Sequence, residues 1–127
     1  MTPTEHPEFH SLSDLSDGVA RTLTDGIVTS VFAGDQAMLS VVSFEPGSEG
    51  SIHHHPEEQW GVCLEGSGVR IQDGVEVAVS VGDFWRTPGN VPHGFRAGPE
   101  GARVLDIFAP PREAYRKAGS GFATTGS

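Results

Sequence analysis

The chain of 127 residues has one cysteine, Cys63, one lysine, Lys117, and no apolar run of membrane-spanning length. A lone cysteine excludes an intrachain disulfide and any zinc site made of several thiolates. A transmembrane helix needs about 20 consecutive apolar residues, so none is expected. Basic residues are scarce, with eight Lys and Arg against seventeen Asp and Glu and a net charge of −9. Such a chain repels the phosphate backbone of nucleic acid and an anionic membrane surface, so neither is an expected partner. An anionic ligand would have to find local positive charge inside its site. The opening stretch MTPTEHPEFHSLSD is polar and acidic, unlike a secretory signal, and the expected compartment is the cytoplasm.

What the chain does have is turns. Seventeen glycines and nine prolines punctuate a sequence that is 36% hydrophobic. Short apolar runs between turn signals point to an all-β fold, a sandwich, jelly roll or barrel. Ten strands are predicted, at 19–23, 27–32, 38–44, 52–55, 59–64, 69–72, 75–81, 84–87, 94–97 and 103–108. The clearest alternation is Val75, Val77, Val79 and Val81 against Glu76, Ala78 and Ser80, one face in and one out. Asp73-Gly74 reads as the tight turn before it. An irregular arm (1–17) precedes the barrel (18–111). A polar tail (112–127), with a short helix near Arg112–Lys117 after Pro110-Pro111, follows it.

Four of the six histidines, His53, His54, His55 and His93, lie outside the arm. In an extended segment residues i and i+2 share a face, so His53 and His55 converge and His54 points away. Gln59 opens the next strand and can return an amide oxygen between them. His93 follows the rigid Pro88-Gly89-Asn90-Val91-Pro92 turn. Three imidazoles and one oxygen form a shell for one divalent transition metal, such as zinc, nickel, iron, manganese or copper. A surface histidine triplet is the plain alternative, and glycine spacing weighs against it.

The spacing is Gly47-x5-His53-x-His55-x3-Gln59-x6-Gly66, then Gly82-x5-Pro88-x-Asn90-x2-His93. This resembles the two motifs of the cupin superfamily, with Gln59 in the usual glutamate position and Asn90 in place of a glycine. The resemblance implies a cupin double-stranded β-helix, commonly dimeric, with His53, His55, Gln59 and His93 as metal ligands. A neutral glutamine leaves the metal its full double charge and supplies no carboxylate base from the ligand set. Glu57, better placed than Glu58, would serve as base only if it turned inward.

The segment from Val104 to Tyr115 resembles the D-x-F-x-P-x-R ending of KdgF-like cupins of pectin degradation, which convert unsaturated uronates into linear keto sugars. That resemblance implies catalytic roles for Asp106, Phe108 and Arg112. Asp106 sits among Val104, Leu105, Ile107 and Phe108, where an aspartate is expensive to bury without a partner or a task. Arg112 can clamp a carboxylate, or it can form a structural ion pair with Asp106. Trp85 and Arg86 take opposite faces of one strand, and Arg86 is a candidate for the positive charge an acidic sugar needs. Cys63 is expected inside the barrel as inert packing.

Three functions compete at this level. The leading one is metal-assisted isomerisation or ring opening of a small oxygenated substrate such as an unsaturated uronate. The second is a polyketide cyclase or dioxygenase, which requires a mostly apolar, aromatic cavity. The third is a non-enzymatic small-molecule-binding module.

Overall fold

The computed structural model describes residues 1–123. Eight strands form the protein: β1 (Val19–Thr24), β2 (Ile27–Ala33), β3 (Met38–Phe44), β4 (Glu58–Gln72), β5 (Val75–Ser80), β6 (Phe84–Thr87), β7 (His93–Ala109) and β8 (Gly119–Ser120). Their hydrogen-bonded order is β5-β4-β7-β3-β2-β1-β8, with β6 also on β4. All pairings are antiparallel except β1 with β8. The expected all-β cupin barrel is therefore what forms.

Two differences from the expected strands matter for the site. The predicted pairs 59–64/69–72 and 94–97/103–108 are each one long strand, β4 and β7, which bend together at register shifts near Cys63–Glu65 and Gly66–Gly68. A bulge lets one strand turn a corner and serve both walls of a barrel. The predicted strand 52–55 is not a ladder strand. Only His53 makes a bridge, to His93.

Two apolar clusters fill the barrel. Leu23, Ile27, Val31, Met38, Val42, Phe108 and Tyr115 form one, and Val79, Phe95, Ala97, Ala102 and Val104 the other, with Phe44 packed against both. Each fully buried large side chain contributes about 1.5–3 kcal/mol. On β5 only Val79 reaches this core, while Val75 and Val77 stay exposed. The strand is a sheet edge, paired only with β4, so its alternation does not bury a whole face. The tail is ordered onto the barrel. Residues Glu113–Arg116 form a 3-10 turn, Tyr115 is buried, and β8 pairs with β1. The stretch 124–127 of the predicted tail lies outside the described residues.

Gly66 has φ +72°, and a Cβ there would lie 2.1 Å from the Gly101 carbonyl oxygen. A left-handed non-glycine costs about 1–3 kcal/mol before any clash. Gly66→Ala is therefore expected to lose about 3 kcal/mol or more and to lower Tm by roughly 10 °C, measured by thermal denaturation.

Candidate metal centre

The two histidine segments are tied directly to each other. His53 N–H donates to the His93 carbonyl at 3.0 Å, and His93 N–H returns the bond to His53 at 2.9 Å. The turn before His93 is fixed against the first segment, because Asn90 N–H donates to the His55 carbonyl at 2.7 Å. Asn90 holds φ +65°, a conformation asparagine tolerates, so it fills the usual glycine position. The ring centroids of His53 and His55 lie 4.6 and 4.9 Å from that of His93. One nitrogen of each ring falls within 4.8 Å of the others.

The backbone sets which nitrogen faces inward. His53 Nδ1 donates to the Ser51 carbonyl at 2.8 Å, His55 Nδ1 to the Glu57 carbonyl at 3.1 Å, and His93 Nδ1 to the Val91 carbonyl at 2.8 Å. A ring that donates from Nδ1 keeps a bare lone pair on Nε2. His93 Nε2 is buried with no hydrogen-bond partner. His55 Nε2 lies 3.0 Å from Gln59 Oε1, which sets two lone pairs face to face. A buried set of acceptors without a donor is costly, and a cation bound among them removes that cost. His53, His55, His93 and Gln59 thus fit a divalent first-row metal by their donor chemistry.

Burial is the main reason the rings stay neutral. It pulls His53 and His55 down to about 4 and His93 to about 2. The positive charge of Arg112 lowers His53 and His55 further, and that of Arg70 lowers His93.

Around the histidines lie the other expected residues and two that sequence did not single out. Asp106, opposite Ser40 on β3 and Gly61 on β4, faces the same cavity, and its Oδ1 is buried without a partner. Burial raises its pKa, while the charge of Arg70, a hydrogen bond from Gln59 and the charge of Arg112 pull the other way. The amide of Gln59 lies between Asp106 and His55, with its oxygen turned to His55. Phe108 lies edge-on to His55 with centroids 5.5 Å apart.

Arg112 is buried, but it does not pair with Asp106. Its Nη2 donates to the carbonyls of Phe122 and Ala123, and its guanidinium lies 4.1 Å from the Tyr115 ring centroid. The interior cation that alternation offered at Arg86 is absent there, because Arg86 points outward to an ion pair with Glu58 at 2.6 Å. Trp85 takes the inward face, over Gly61.

The buried cation on this wall is Arg70. It donates to Thr87 Oγ1 at 2.8 Å, and burial brings its pKa to about 10, still charged at neutral pH. Its place beside the site needs the β4–β7 register, which residue spacing does not carry. Phe122, stacked on His53, is the other residue missed. Glu57 sits on the outer side of His55, 3.4 Å from Nδ1, so it supports the ring from behind. Cys63 is buried with its thiol directed at the Glu65 and Gly66 carbonyls, and burial pushes its pKa up, as suits inert packing.

A jelly-roll barrel with three inward histidines on its two glycine-spaced segments is the architecture of a cupin. The chain belongs to that family: the Cupin_2 model, a cupin domain, matches residues 40–108. It is 36% identical over 89 residues to the dimethylsulfoniopropionate lyase DddW of Ruegeria pomeroyi. That match takes in 70% of this chain and 57% of the relative, so the chain spans little more than half of that protein's length.

Among solved structures, an RmlC-like cupin from Shewanella frigidimarina superposes with TM-score 0.75 at 25% identity, covering 87% of this chain and 96% of that one. KdgF from a Halomonas species gives 0.70 at 26% identity, covering 75% and 88%. A variant oxalate decarboxylase of Bacillus subtilis shares the fold, with TM-score 0.72 at 23% identity over 81% of this chain and 30% of that one. No helix among the described residues is long and apolar enough to cross a membrane.

Removing one ring should empty the site. His93→Ala is expected to take bound metal, measured by plasma emission, from about one per chain to near none. The neutral rings also set an acid limit for the metal-free protein. An unfolded histidine takes its proton near pH ~6.5, whereas these folded ones resist until about 4 or below. The unfolded state then binds more protons, so stability falls as pH drops through that window. Asp106 acts in the opposite sense, since its raised pKa favours the folded state once it is protonated. Three rings outweigh one carboxyl, and the metal-free Tm should be at least about 5 °C lower near pH ~4.5 than near pH ~7.

Proposed function

We propose that this cupin is a metal-dependent enzyme that moves a proton on a small carboxylate-bearing substrate, with isomerisation or ring opening of an unsaturated uronate as the leading activity. The observation that carries this reading is Asp106. Its Oδ1 is buried and unpartnered, in a cavity it shares with His53, His93 and two buried arginines. A binding module has no need of such a group, since a buried unpaired carboxyl costs stability.

A divalent metal held by His53, His55, His93 and Gln59 supplies Lewis acidity toward a substrate oxygen when bound. The chain's own residues supply the rest. Asp106 Oδ1 takes a proton from one substrate carbon or oxygen and returns it at another. Its raised pKa brings it nearer the working range of a general base than an exposed aspartate. Gln59 lines the same cavity and lowers the proton affinity of that carboxyl. Arg70 and Arg112 give an acidic chain a positive interior, which selects an anionic substrate. Phe108 and Phe122 wall the site from water. Tyr115 is held protonated by burial and remains a phenol at neutral pH, so it does not compete as base.

An apolar polyketide needs a cavity without fixed charge, and two buried guanidiniums weigh against it. A second reading has its own support. The 36% identical relative is by name a lyase of dimethylsulfoniopropionate, itself a carboxylate. Elimination from such a propionate also needs a base beside a bound carboxylate, and the same residues would serve.

The test is turnover of unsaturated galacturonate and of dimethylsulfoniopropionate by the metal-loaded protein. Activity on the uronate is expected. Asp106→Asn should lower kcat roughly 100- to 10,000-fold while metal content stays unchanged. Arg70→Met should raise KM about tenfold or more, the worth of one charge-assisted contact. Turnover of the sulfonium compound alone would replace the first substrate by the second. A wild type inert on both, or a fully active Asp106→Asn, would overturn the reading.

A further inference from the structure

Beyond the buried Tyr115 ring, the hydrogen bonds that fasten the segment after Arg112 to the barrel run largely to its own backbone carbonyls. Arg21, buried on β1, donates to the carbonyls of Ala114 at 3.2 Å, Lys117 at 3.3 Å, Ser120 at 2.8 Å and Gly121 at 3.0 Å. Gly121 N–H adds a bond of 2.9 Å to Thr22. Past this clasp the Phe122 ring turns inward and stacks on His53, with centroids 4.5 Å apart and planes 28° apart. It lies so close to Gly50 that a Cβ there would be 3.0 Å from Phe122 Cζ. Arg112 then holds the carbonyls of Phe122 and Ala123.

Two spaces meet at this segment. The inner one, ≈ 40 Å³, is lined by the histidines His53 and His93 together with Arg112 and Phe122. The outer one, a groove of ≈ 410 Å³, is lined by His54, His55, Glu57, Asn90, Arg112 and Ala123. Arg112 belongs to both. A water needs roughly 10–15 Å³ on this measure, so the inner space holds a few waters and no sugar or propionate.

A larger groove, ≈ 720 Å³, shares Arg70 with the inner space from another side. The wall there is the β4–β5 ladder and Trp85 stacked on Phe95 at 6.2 Å. Opening that wall means breaking a sheet. At Arg112 it means lifting a few tail residues, whose only ladder is the two-residue β8.

We propose that residues 118–123 are a strap that closes the histidine cavity, with Phe122 as its plug and Arg112 as its latch, and that ligands enter from the outer groove when the strap lifts. Arg21 keeps its bonds to Ala114 and Lys117, ahead of the strap, as the point about which it turns, and releases those to Ser120 and Gly121 as the strap lifts. Arg112 bonds neutral carbonyls in the closed state. An anion reaching the outer groove is a stronger acceptor for the same donors and competes for the latch. Phe122 therefore sets which ligands reach the metal, whatever the substrate.

Two measurements test this on the full chain, and neither needs turnover. In hydrogen exchange the Gly121 amide should exchange at least about 100-fold faster than amides of the β2–β3 ladder, because local lifting precedes global unfolding. In the zinc- or cobalt-loaded protein, Phe122→Ala should speed metal entry and chelator-driven loss together, each about tenfold, with Kd within about threefold of wild type. Phe122→Leu should fall between.

Exchange of Gly121 at the ladder rate would overturn the proposal. So would loss rates within about twofold of wild type in Phe122→Ala, or a faster loss with unchanged entry, which marks a mere stacking partner of His53. A wild type inert on both substrates would remove the catalytic reading and leave the strap standing.

Discussion

Everything at this site depends on three backbone carbonyls that each accept a hydrogen bond from an imidazole two residues away. They belong to Ser51, Glu57 and Val91, and each lies outside the regular ladders. A carbonyl in a central strand is already committed to its neighbour strand. The segments that carry the ligands therefore have to be irregular, which is why residues 52–55 make a single bridge where a strand was expected and residues 88–92 form a turn rich in proline and glycine. The tautomer follows from that irregular backbone, and the inward lone pairs follow from the tautomer. The fit to a cation is the last link in the same chain.

The second constraint is charge. A molecule with a net charge of −9 keeps two guanidiniums inside its barrel. Arg70 is held by Thr87 and faces the charge of Asp106, while Arg112 is spread over two aromatic rings and two carbonyls. Both depress the histidines, so the interior resists protonation while staying positive toward an anion. The acidic exterior and the basic interior are not in conflict, because interaction between exposed charges falls off within about a Debye length whereas buried groups are screened much less. Net charge speaks to partners of the surface and is silent about the site.

What the sequence revealed of this structure, and what it hid, divides along one physical line. Features fixed by near neighbours were legible: the turn at Asp73-Gly74, the spacing that sets His53 beside His55, and Gln59 at the mouth of β4. Features set by long-range register were hidden. Arg70 enters the site because β4 bends at Gly66 and runs on beside β7. Gly66 was noticed for its spacing, but the bend it permits depends on a contact with Gly101. Val75 and Val77 alternate as an amphipathic strand should, yet an edge position leaves them in solvent. The tail looked featureless because its hold on the barrel runs largely through its carbonyls, which every residue type has. Arg21 grips Gly121 across a separation of 100 residues, and no local pattern encodes that.

Glutamine at position 59, in place of the family's usual glutamate, now has a local reason. Gln59 faces a histidine nitrogen with its oxygen and lines the same cavity as Asp106, whose proton affinity it lowers. With a carboxylate in its place Asp106 would gain a like charge, and the proton affinity of both carboxyls would rise. The neutral amide and the aspartate thus form one arrangement: the carboxyl that the family usually carries at position 59 is here set one step back, on Asp106, with its Oδ1 unpartnered.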